Sequence, residues 1–400
     1  MRPSGSVLRT RDGNGTRVGY FELFFDLVFV FAFTRLSHRL LEHLTPLGTA
    51  QALLLLLAIW WAWMYTCWTT NWFDPDHPTV RLMLAAVMLA GLFMSAAVPQ
   101  AFEERGLWFA AGYVVVQVGR TVYVVAATWR HELGRNFQRV LAWMLPSSVL
   151  WIAGGLVDDD KARLALWAAA VAIDYAAPWL GYATPGLGRS RTGDWTIDPR
   201  HMAERCHLFI IIALGESLVI IGATLSDAEH PSAGTVAACA VALGASVATW
   251  WVYFARTAEG AAERVAESDD PGRLGRSAYT FVHIVMVAGI VVIAVGDELV
   301  IAHPGGHVEP GMLATLLGGT ALFVLGHALF KKVVFGHFTV ARIAAVAVLA
   351  VVGVVEWAAH VLTPLALSAA PLAVLVGVAL WDARAARELE QTEQTVDLKP

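Results

Sequence analysis

The chain has 400 residues, of which 57% are hydrophobic and 15% are charged, and its mean hydropathy is +0.58. An ordinary soluble domain carries about 25% charged residues, because its surface must face water. The composition therefore excludes an ordinary soluble protein and predicts that most of the surface faces lipid. The formal net charge of -5 is small and no basic stripe is interleaved with aromatic residues, so we expect no nucleic-acid partner.

The first feature in chain order is a basic segment, residues 1–19, which contains Arg2, Arg9, Arg11 and Arg17. It resembles the start of a signal peptide. However, the apolar stretch that follows contains Glu22 and Asp26, is longer than a signal peptide needs, and has no convincing cleavage site. We interpret residues 1–19 as a short cytosolic tail before the first membrane span.

Apolar stretches long enough to cross a membrane recur along the whole chain. A spanning helix needs about 20 mostly apolar residues. This length predicts twelve spans, near residues 20–42, 48–70, 80–100, 107–129, 137–157, 162–183, 203–225, 233–256, 276–302, 311–333, 339–361 and 365–383. Turn-forming sequences such as Asp74-Pro75 and Thr184-Pro185-Gly186 separate them.

The basic residues orient these spans. Cytoplasmic loops of membrane proteins are enriched in Lys and Arg. If the N-terminus is cytoplasmic, 22 of the 28 Lys and Arg residues fall on that side, 5 fall outside, and Arg120 lies within the membrane. The asymmetry persists to the end of the chain, which favours an even number of spans. We therefore predict that both termini are cytoplasmic.

The two halves of the chain show matching residues in the same order. Met88–Gly91 matches Met286–Gly289 at an offset of 198, and Trp60-Trp61 matches Trp250-Trp251 at 190. The pair Gly112 and Gly119 matches Gly319 and Gly326 at 207. Ordered matches favour a duplication, although coincidence in apolar sequence is the alternative. Six spans in each half would give both halves the same orientation, a parallel repeat.

The predicted fold is thus an all-α integral membrane protein with about twelve transmembrane helices in two parallel six-helix repeats. A first repeat over residues 20–183 and a second over 203–383 are joined by a cytosolic linker, 184–202. A polar cytosolic tail, 384–400, follows the second repeat.

Ionisable side chains inside the predicted spans are the candidate functional residues, because a charge at membrane depth is costly and often marks a pathway or a relay. They are Glu22, Asp26, Arg120, Asp174, Glu204, His207, Glu216, His283 and His327. Arg120 remains protonated and needs an anion or water. Asp26, Asp174 and Glu216 are its candidate partners. The alternatives are a static buried ion pair and a polar core through which an ion, a proton or a small anion passes.

A tryptophan cluster and a Glu-x-x-His pattern each allow more than one interpretation. The dense cluster Trp60, Trp61, Trp63, Trp68 and Trp72 is consistent with packing inside the bundle or with an aromatic-lined pocket. Glu204 and His207 match the Glu-x-x-His pattern of di-iron bundles, but no second copy exists. The cysteines Cys67, Cys206 and Cys239 form no CxxC pair, and no catalytic motif is present. We expect no metal and no cofactor, and the sequence gives no positive sign of an enzyme.

Two segments resemble the bacterial low temperature requirement protein A family. The first is Phe21–Val30, FELFFDLVFV, which continues to Thr34–His38. The second is Glu204–Ser217, ERCHLFIIIALGES, which departs from the family pattern at Cys206-His207, where a small residue is expected. The resemblance covers roughly residues 18–383. It implies a polytopic protein of the bacterial cytoplasmic (inner) membrane and no settled substrate.

Three functions are compatible with these observations. The first is a transporter or channel for a small ion or solute, which could be proton-linked and would have a charged core between the two repeats. The second is a non-transporting membrane protein that supports envelope or lipid properties and low-temperature growth. The third is an intramembrane enzyme that acts on lipid. For the first, we expect Asp26 and Glu216 to share an interior in which Arg120 neutralises at least one of them.

Overall fold

The structure, a computed structural model, describes residues 6–9, 17–227, 231–255 and 258–397. Its helices in chain order are α1 (Tyr20–Glu42), α2 (Pro46–Trp72), α3 (Pro78–Gln100), α4 (Gly106–Ala127), α5 (Glu132–Leu156), α6 (Asp160–Trp179), α7 (Pro199–Asp227), α8 (Ala233–Phe254), α9 (Ala258–Ala266), α10 (Pro271–Ala302), α11 (Pro310–Phe335), α12 (Val340–Ala359) and α13 (Pro364–Asp397). Arg2, Arg11, Arg256 and Lys399, which the orientation prediction counts as cytoplasmic, lie outside the described residues.

Every helix in the described part of the chain except α9 has at least 20 residues, and each of these coincides with one predicted span. Ten of them are long and apolar enough to cross a membrane. The other two, α1 and α6, reach spanning length but are not counted among these ten; Glu22 and Asp26 lie in α1 and Asp174 lies in α6. The chain is therefore a multi-pass helical membrane protein, and a full count of twelve spans remains a prediction.

Local sequence determines where several helices begin. Thr45, Asp159 and Ser232 each precede a helix and accept a hydrogen bond from a backbone N–H of its first turn. Such caps satisfy donors that have no partner within the helix. Pro46 directly after Thr45 adds a backbone angle that suits the first helical position.

The chain divides into two compact units. The first comprises Met1–Phe209 with Val265–Thr280, and the second comprises Ile210–Arg264 with Phe281–Pro400. In the first unit, α2 packs against α1 and α6, α3 packs against α1 and α4, and α5 packs against α4 and α6. Most of α2 is buried, so this helix forms the centre of the first unit.

In the second unit, α11 packs closely on the part of α10 that follows His283. Its glycines permit the close approach, since a Cβ atom built at Gly319 would lie 2.8 Å from the Ile293 backbone nitrogen. α12 packs against α11 and α13, and α13 packs against α8. Large apolar side chains such as Val354 on α12 remain exposed, as expected of a surface that faces lipid.

The predicted linker, residues 184–202, is folded rather than extended, and it lies in the first unit. Arg139 of α5 donates from Nη2 to the Leu187 carbonyl over 2.6 Å and from Nη1 to Ser190 Oγ over 3.0 Å. Gly181 has a φ of +60°, which favours glycine in the turn that leads into this segment. The end of the predicted linker, from Pro199, is already the first turn of α7.

Candidate functional site

Glu22 and Asp26 occupy consecutive turns on one face of α1, and both side chains are fully buried. Arg205 of α7 bridges them. Its Nη1 donates to Glu22 Oε1 over 3.1 Å and its Nη2 donates to Asp26 Oδ1 over 2.5 Å. Trp63 of α2 donates from Nε1 to the same Asp26 oxygen over 2.7 Å. We call the group formed by Glu22, Asp26 and Arg205 together with Trp63, Arg9 and His201 the Glu22–Asp26 cluster.

Arg9 contributes a second cation from the segment before α1. Its Nη2 donates to Glu22 Oε2 over 2.7 Å, and its Nε donates to the Thr70 carbonyl over 2.7 Å. Glu22 Oε2 also accepts from the Gly19 backbone N–H over 2.9 Å. These bonds hold the N-terminal segment against the end of α2.

The hydrogen bonds of Asn71 define the tautomer of His201. Asn71 Oδ1 accepts from the Asp198 N–H, so its amide nitrogen must face the His201 Nδ1 atom, which lies 3.2 Å away. An amide nitrogen only donates, so Nδ1 of His201 must accept and carries no proton. The proton is therefore on Nε2, which donates to Glu22 Oε1 over 2.9 Å. His201 is neutral in this arrangement.

The Glu22–Asp26 cluster is consequently balanced, because the charges of Arg9 and Arg205 match those of Glu22 and Asp26. Asp26 Oδ2 has no hydrogen-bond partner among the described residues. Arg9, His201 and Arg205 were not among the predicted site residues. His201 and Arg205 are four residues apart on α7 and so lie on one face, but α7 begins four residues before the predicted span, which concealed this spacing.

Arg120 lies in α4 and is 1% exposed. The expectation that it neutralises a carboxylate directly is wrong, because its hydrogen bonds go to neutral groups. Nη2 donates to Gln117 Oε1 over 2.6 Å, and Nη1 donates to Thr66 Oγ1 over 3.0 Å and to the Ala62 carbonyl over 3.3 Å. The guanidinium also lies 5.4 Å from the centre of the Tyr65 ring, a cation–π contact.

A chain of hydrogen bonds nevertheless connects Arg120 to Asp174. Gln117 accepts from Arg120 and donates from Nε2 to the Tyr113 hydroxyl oxygen over 3.2 Å. The Tyr113 hydroxyl in turn donates to Asp174 Oδ2 over 2.7 Å. Each donor along this Arg120–Asp174 chain points toward the carboxylate. One of its two inner residues, Gln117, lies in a π-helical turn of α4, Val115–Gly119, of the kind often found at functional sites.

The aromatic cluster of α2 serves both of the roles considered for it. Trp60 and Trp63 are fully buried and packed, with ring centres 5.0 Å apart. The residues spaced along the other face, Trp61, Tyr65, Trp68 and Trp72, line a cavity of about 80 Å³. We call this cavity the aromatic slot. Its remaining walls include Phe137, Tyr182, Trp195 and Arg276.

A wider cavity of about 540 Å³ adjoins the aromatic slot and shares Pro178, Tyr182, Thr192, Trp195 and Arg276 with it. We call it the arginine mouth, because Arg189, Arg191 and Arg276 line it. Burial opposes ionisation of nearby Asp270, but hydrogen bonds from the Thr192 hydroxyl and the Arg273 N–H outweigh it and lower the pKa of that carboxyl. Asp270 is therefore anionic at neutral pH.

The remaining predicted residues lie elsewhere. Glu204 is half-buried in the first unit and accepts from the Val18 N–H over 3.1 Å, and His207 is half-buried on the same helix. Glu216 is 5% exposed and belongs to the second unit. A shared interior of Asp26 and Glu216 therefore remains a prediction. Among the described residues, no group of three or more His, Cys, Asp or Glu side chains is placed to hold a metal ion.

In the second unit, His283 and His327 are fully buried. The Tyr253 hydroxyl lies 2.7 Å from His283 Nε2. His327 Nδ1 lies 3.4 Å from Arg342 Nη2, and Arg342 also donates from Nη1 to Asp382 Oδ1 over 2.6 Å. Arg342 and Asp382, on α12 and α13, form a bidentate ion pair that the sequence interpretation missed.

Comparison with known proteins agrees with this architecture. The family model for the bacterial low temperature requirement A protein (LtrA) matches residues 17–380. A protein of Rhizobium meliloti (strain 1021), described as "Uncharacterized protein RA0937", is 36% identical over 329 residues, which are 82% of this chain and 80% of the relative. No solved structure shows significant similarity. The family match covers nearly the whole chain, including Glu22, Asp26 and Arg205 of the Glu22–Asp26 cluster. The chain therefore belongs to the bacterial low temperature requirement A (LtrA) family.

Proposed function

We propose that this protein is a transporter or channel of the bacterial cytoplasmic membrane for a small solute or ion. In this proposal all of α1–α8 and α10–α13 cross the membrane, and both termini are cytoplasmic. One observation supports it above the others. Arg120 and Asp174, both buried in the first unit, are separated by two neutral side chains rather than paired directly.

A purely structural charge pair would have a different geometry. Charges in the membrane interior are costly, and direct pairing with a counter-ion lowers that cost. Arg120 and Asp174 forgo direct pairing, although Gln117 and Tyr113 between them still provide hydrogen bonds. Such spacing keeps a cation and an anion available to an ion, a proton or a charged solute that passes between neighbouring helices.

The same chain gives the proposal a route to proton coupling. Protonation of Asp174 would neutralise the acceptor toward which Tyr113 and Gln117 donate. The hydroxyl and the amide would then be free to reorient, since the charge that orders them is removed. Transport that depends on a proton requires a group of this kind, one whose protonation changes the arrangement of its neighbours.

One close helix approach in each unit supports the predicted arrangement in two repeats. The π-helical turns of α4 and α11, Val115–Gly119 and Ala314–Gly318, do not add to this match, because they do not coincide at the predicted offset of 207. Gly112 of α4 abuts the backbone of α3, and Gly319 of α11 abuts the backbone of α10. The other predicted pairs are less alike. A Cβ built at Gly326 would lie 2.8 Å from Met286, whereas Gly119 has no neighbouring atom within 4 Å.

A second candidate function is a non-transporting role in the membrane. The charge-balanced Glu22–Asp26 cluster favours it, because paired and hydrogen-bonded charges can order a helix bundle without carrying anything. The two candidates differ in their consequences. A structural role requires the cluster and has no use for the separated charges of the Arg120–Asp174 chain.

Flux measurements on the purified protein in liposomes would decide between them. The liposomes would contain a pH-sensitive dye and receive Na⁺, K⁺, amino acids, sugars and organic anions in turn, each under imposed pH gradients. We expect one class to produce a proton-linked or electrogenic flux that Asp174→Asn abolishes. Asp158→Asn, which changes an exposed aspartate, is the matched control. Absence of flux across the panel, or full flux in Asp174→Asn, would contradict the proposal.

A further inference from the structure

We propose that the aromatic slot and the arginine mouth together bind a small organic anion with a flat apolar body. The apolar body would occupy the slot, and the anionic group would lie at the mouth. The prediction of a binding site depends only on the geometry of the two cavities. The further inference that the bound anion is the transported solute rests on the proposed transport function.

The walls of the aromatic slot suit a flat ring. Trp61, Tyr65, Trp68 and Trp72 follow one another at helical spacing along α2, so their rings form a continuous strip. Trp68 and Trp72 stack with ring centres 5.8 Å apart and an angle of 26° between the rings. A cavity of about 80 Å³ is smaller than the roughly 150 Å³ that holds benzene in an engineered protein cavity, so the slot admits several waters or the edge of one ring. The rest of the ring would lie toward the adjoining arginine mouth.

The polar atoms of these rings are already engaged inside the protein. Trp68 Nε1 donates to Thr280 Oγ1 over 3.0 Å, and Trp72 Nε1 donates to the Thr196 carbonyl. The hydroxyl oxygens of Tyr65 and Tyr182 lie 2.5 Å apart. The slot therefore presents mainly ring faces to a ligand.

The arginine mouth has the opposite character. Arg189 and Arg191 are exposed, Arg276 is half-buried, and none of the described residues that line the mouth is acidic. Asp194 and Asp270 belong to the same segments, but their carboxylates accept hydrogen bonds from the Arg191 N–H and the Thr192 hydroxyl. Guanidinium groups bind carboxylates, sulfonates and phosphates through paired hydrogen bonds.

Arg276 is placed to join the two cavities, because it lines both. Its Nη1 donates to the Pro178 carbonyl over 2.9 Å, and its guanidinium lies 5.5 Å from the centre of the Trp179 ring. Its Nε is buried and has no hydrogen-bond partner among the described residues. An arginine has five N–H donors, so most of those on Arg276 remain for an anionic ligand.

The test is equilibrium binding to the purified full-length protein in phosphatidylcholine nanodiscs, measured by calorimetry. The probe is 2-naphthoate, and its neutral analogue 2-naphthamide isolates the contribution of charge. We expect 2-naphthoate to bind at least about tenfold more tightly than 2-naphthamide, which is the effect of one charge-assisted hydrogen bond. We expect Arg276→Gln to remove that preference.

Two further variants keep the result interpretable if Arg276→Gln folds poorly. Arg189→Gln with Arg191→Gln changes only exposed side chains and should weaken 2-naphthoate several-fold while leaving 2-naphthamide unchanged. Arg273→Gln, whose side chain is 74% exposed and lies outside both cavities, should change neither. Equal affinity for the two probes, or no response to the arginine variants, would overturn the proposal.

A second comparison identifies the source of the anion. In nanodiscs with phosphatidylglycerol, a site that binds lipid headgroups would lose affinity for 2-naphthoate, because the lipid competes. A site for a free organic anion would keep its affinity. Both results support the same site chemistry. Binding without any flux in the liposome experiment would uphold this site and reject the transport function.

Discussion

Arg205→Ala is the sharpest perturbation of the Glu22–Asp26 cluster. Arg205, Glu22 and Asp26 are each 0% exposed in their side chains, so no water replaces the lost guanidinium directly. Removing one partner of a buried ion pair costs about 3–5 kcal/mol, because the other charge is left uncompensated. A loss of about 4 kcal/mol would shift the ratio of folded to unfolded protein by roughly a thousandfold.

The two carboxylates should respond differently to this loss. Glu22 keeps Arg9 at 2.7 Å and His201 at 2.9 Å, whereas Asp26 keeps only the Trp63 N–H. Neutralising Asp26 should therefore recover part of the lost stability, and neutralising Glu22 should recover less. We expect Arg205→Ala with Asp26→Asn to be more stable than Arg205→Ala alone by about 1–2 kcal/mol, since the stranded charge is gone.

The assay is reversible unfolding in mixed micelles with increasing SDS, followed by circular dichroism. Arg200→Ala changes an exposed arginine on the same helix and is the matched control, expected to lie within about 0.5 kcal/mol of the unchanged protein. The cluster would be energetically unimportant if Arg205→Ala lost under about 1 kcal/mol. The predicted asymmetry between the two carboxylates would be refuted if Glu22→Gln restored as much stability to the Arg205→Ala protein as Asp26→Asn does.

Three further predictions concern packing, topology and transport. A Cβ at Gly112 would lie 2.8 Å from Met94 Cβ, so Gly112→Ala should destabilise by about 1–3 kcal/mol in the same assay, whereas Gly119→Ala, with open space around it, should not. Reporter fusions after residue 160 and after residue 306 should both read as external, and a cytoplasmic reading at either would reject twelve spans. Glu216→Gln should fold normally and lose pH-dependent flux in liposomes, and unchanged flux would favour the non-transporting role.

The helices could be predicted well from the sequence because each is specified locally. Runs of about 20 apolar residues bounded by turn-forming residues determine where a helix can cross a membrane. α1 begins at Tyr20 and ends at Glu42, as predicted, and the other long helices begin and end within a few residues of expectation, apart from α13, which extends into the predicted polar tail. The family resemblance that we inferred from the charged segments Phe21–Val30 and Glu204–Ser217 is confirmed by a family match over residues 17–380.

The pairing of the charges could not be predicted because it depends on which helices meet. Arg205 was counted among the basic residues of the cytoplasmic side, yet it is fully buried between Glu22 and Asp26, more than 170 residues away in sequence. Arg120 was expected to find a carboxylate, and the intervening Gln117 and Tyr113 were overlooked. The sequence could have indicated this connection, because Tyr113, Gln117 and Arg120 lie at positions i, i+4 and i+7 of one helix face.

The aromatic slot and the Arg120–Asp174 chain meet at two residues of α2, and this contact gives the proposed binding and the proposed proton coupling a common physical basis. Tyr65 lines the slot on one side and lies against the Arg120 guanidinium on the other. Trp61 also lines the slot and stacks at 4.0 Å on Tyr175, the residue after Asp174. A ring bound in the slot must contact Tyr65 and Trp61. Any shift of these side chains changes the surroundings of Arg120 and of the helix turn that carries Asp174. In the proposed mechanism, a shift of this kind would link ligand binding to protonation of Asp174, and each would then alter the affinity of the other by the same factor.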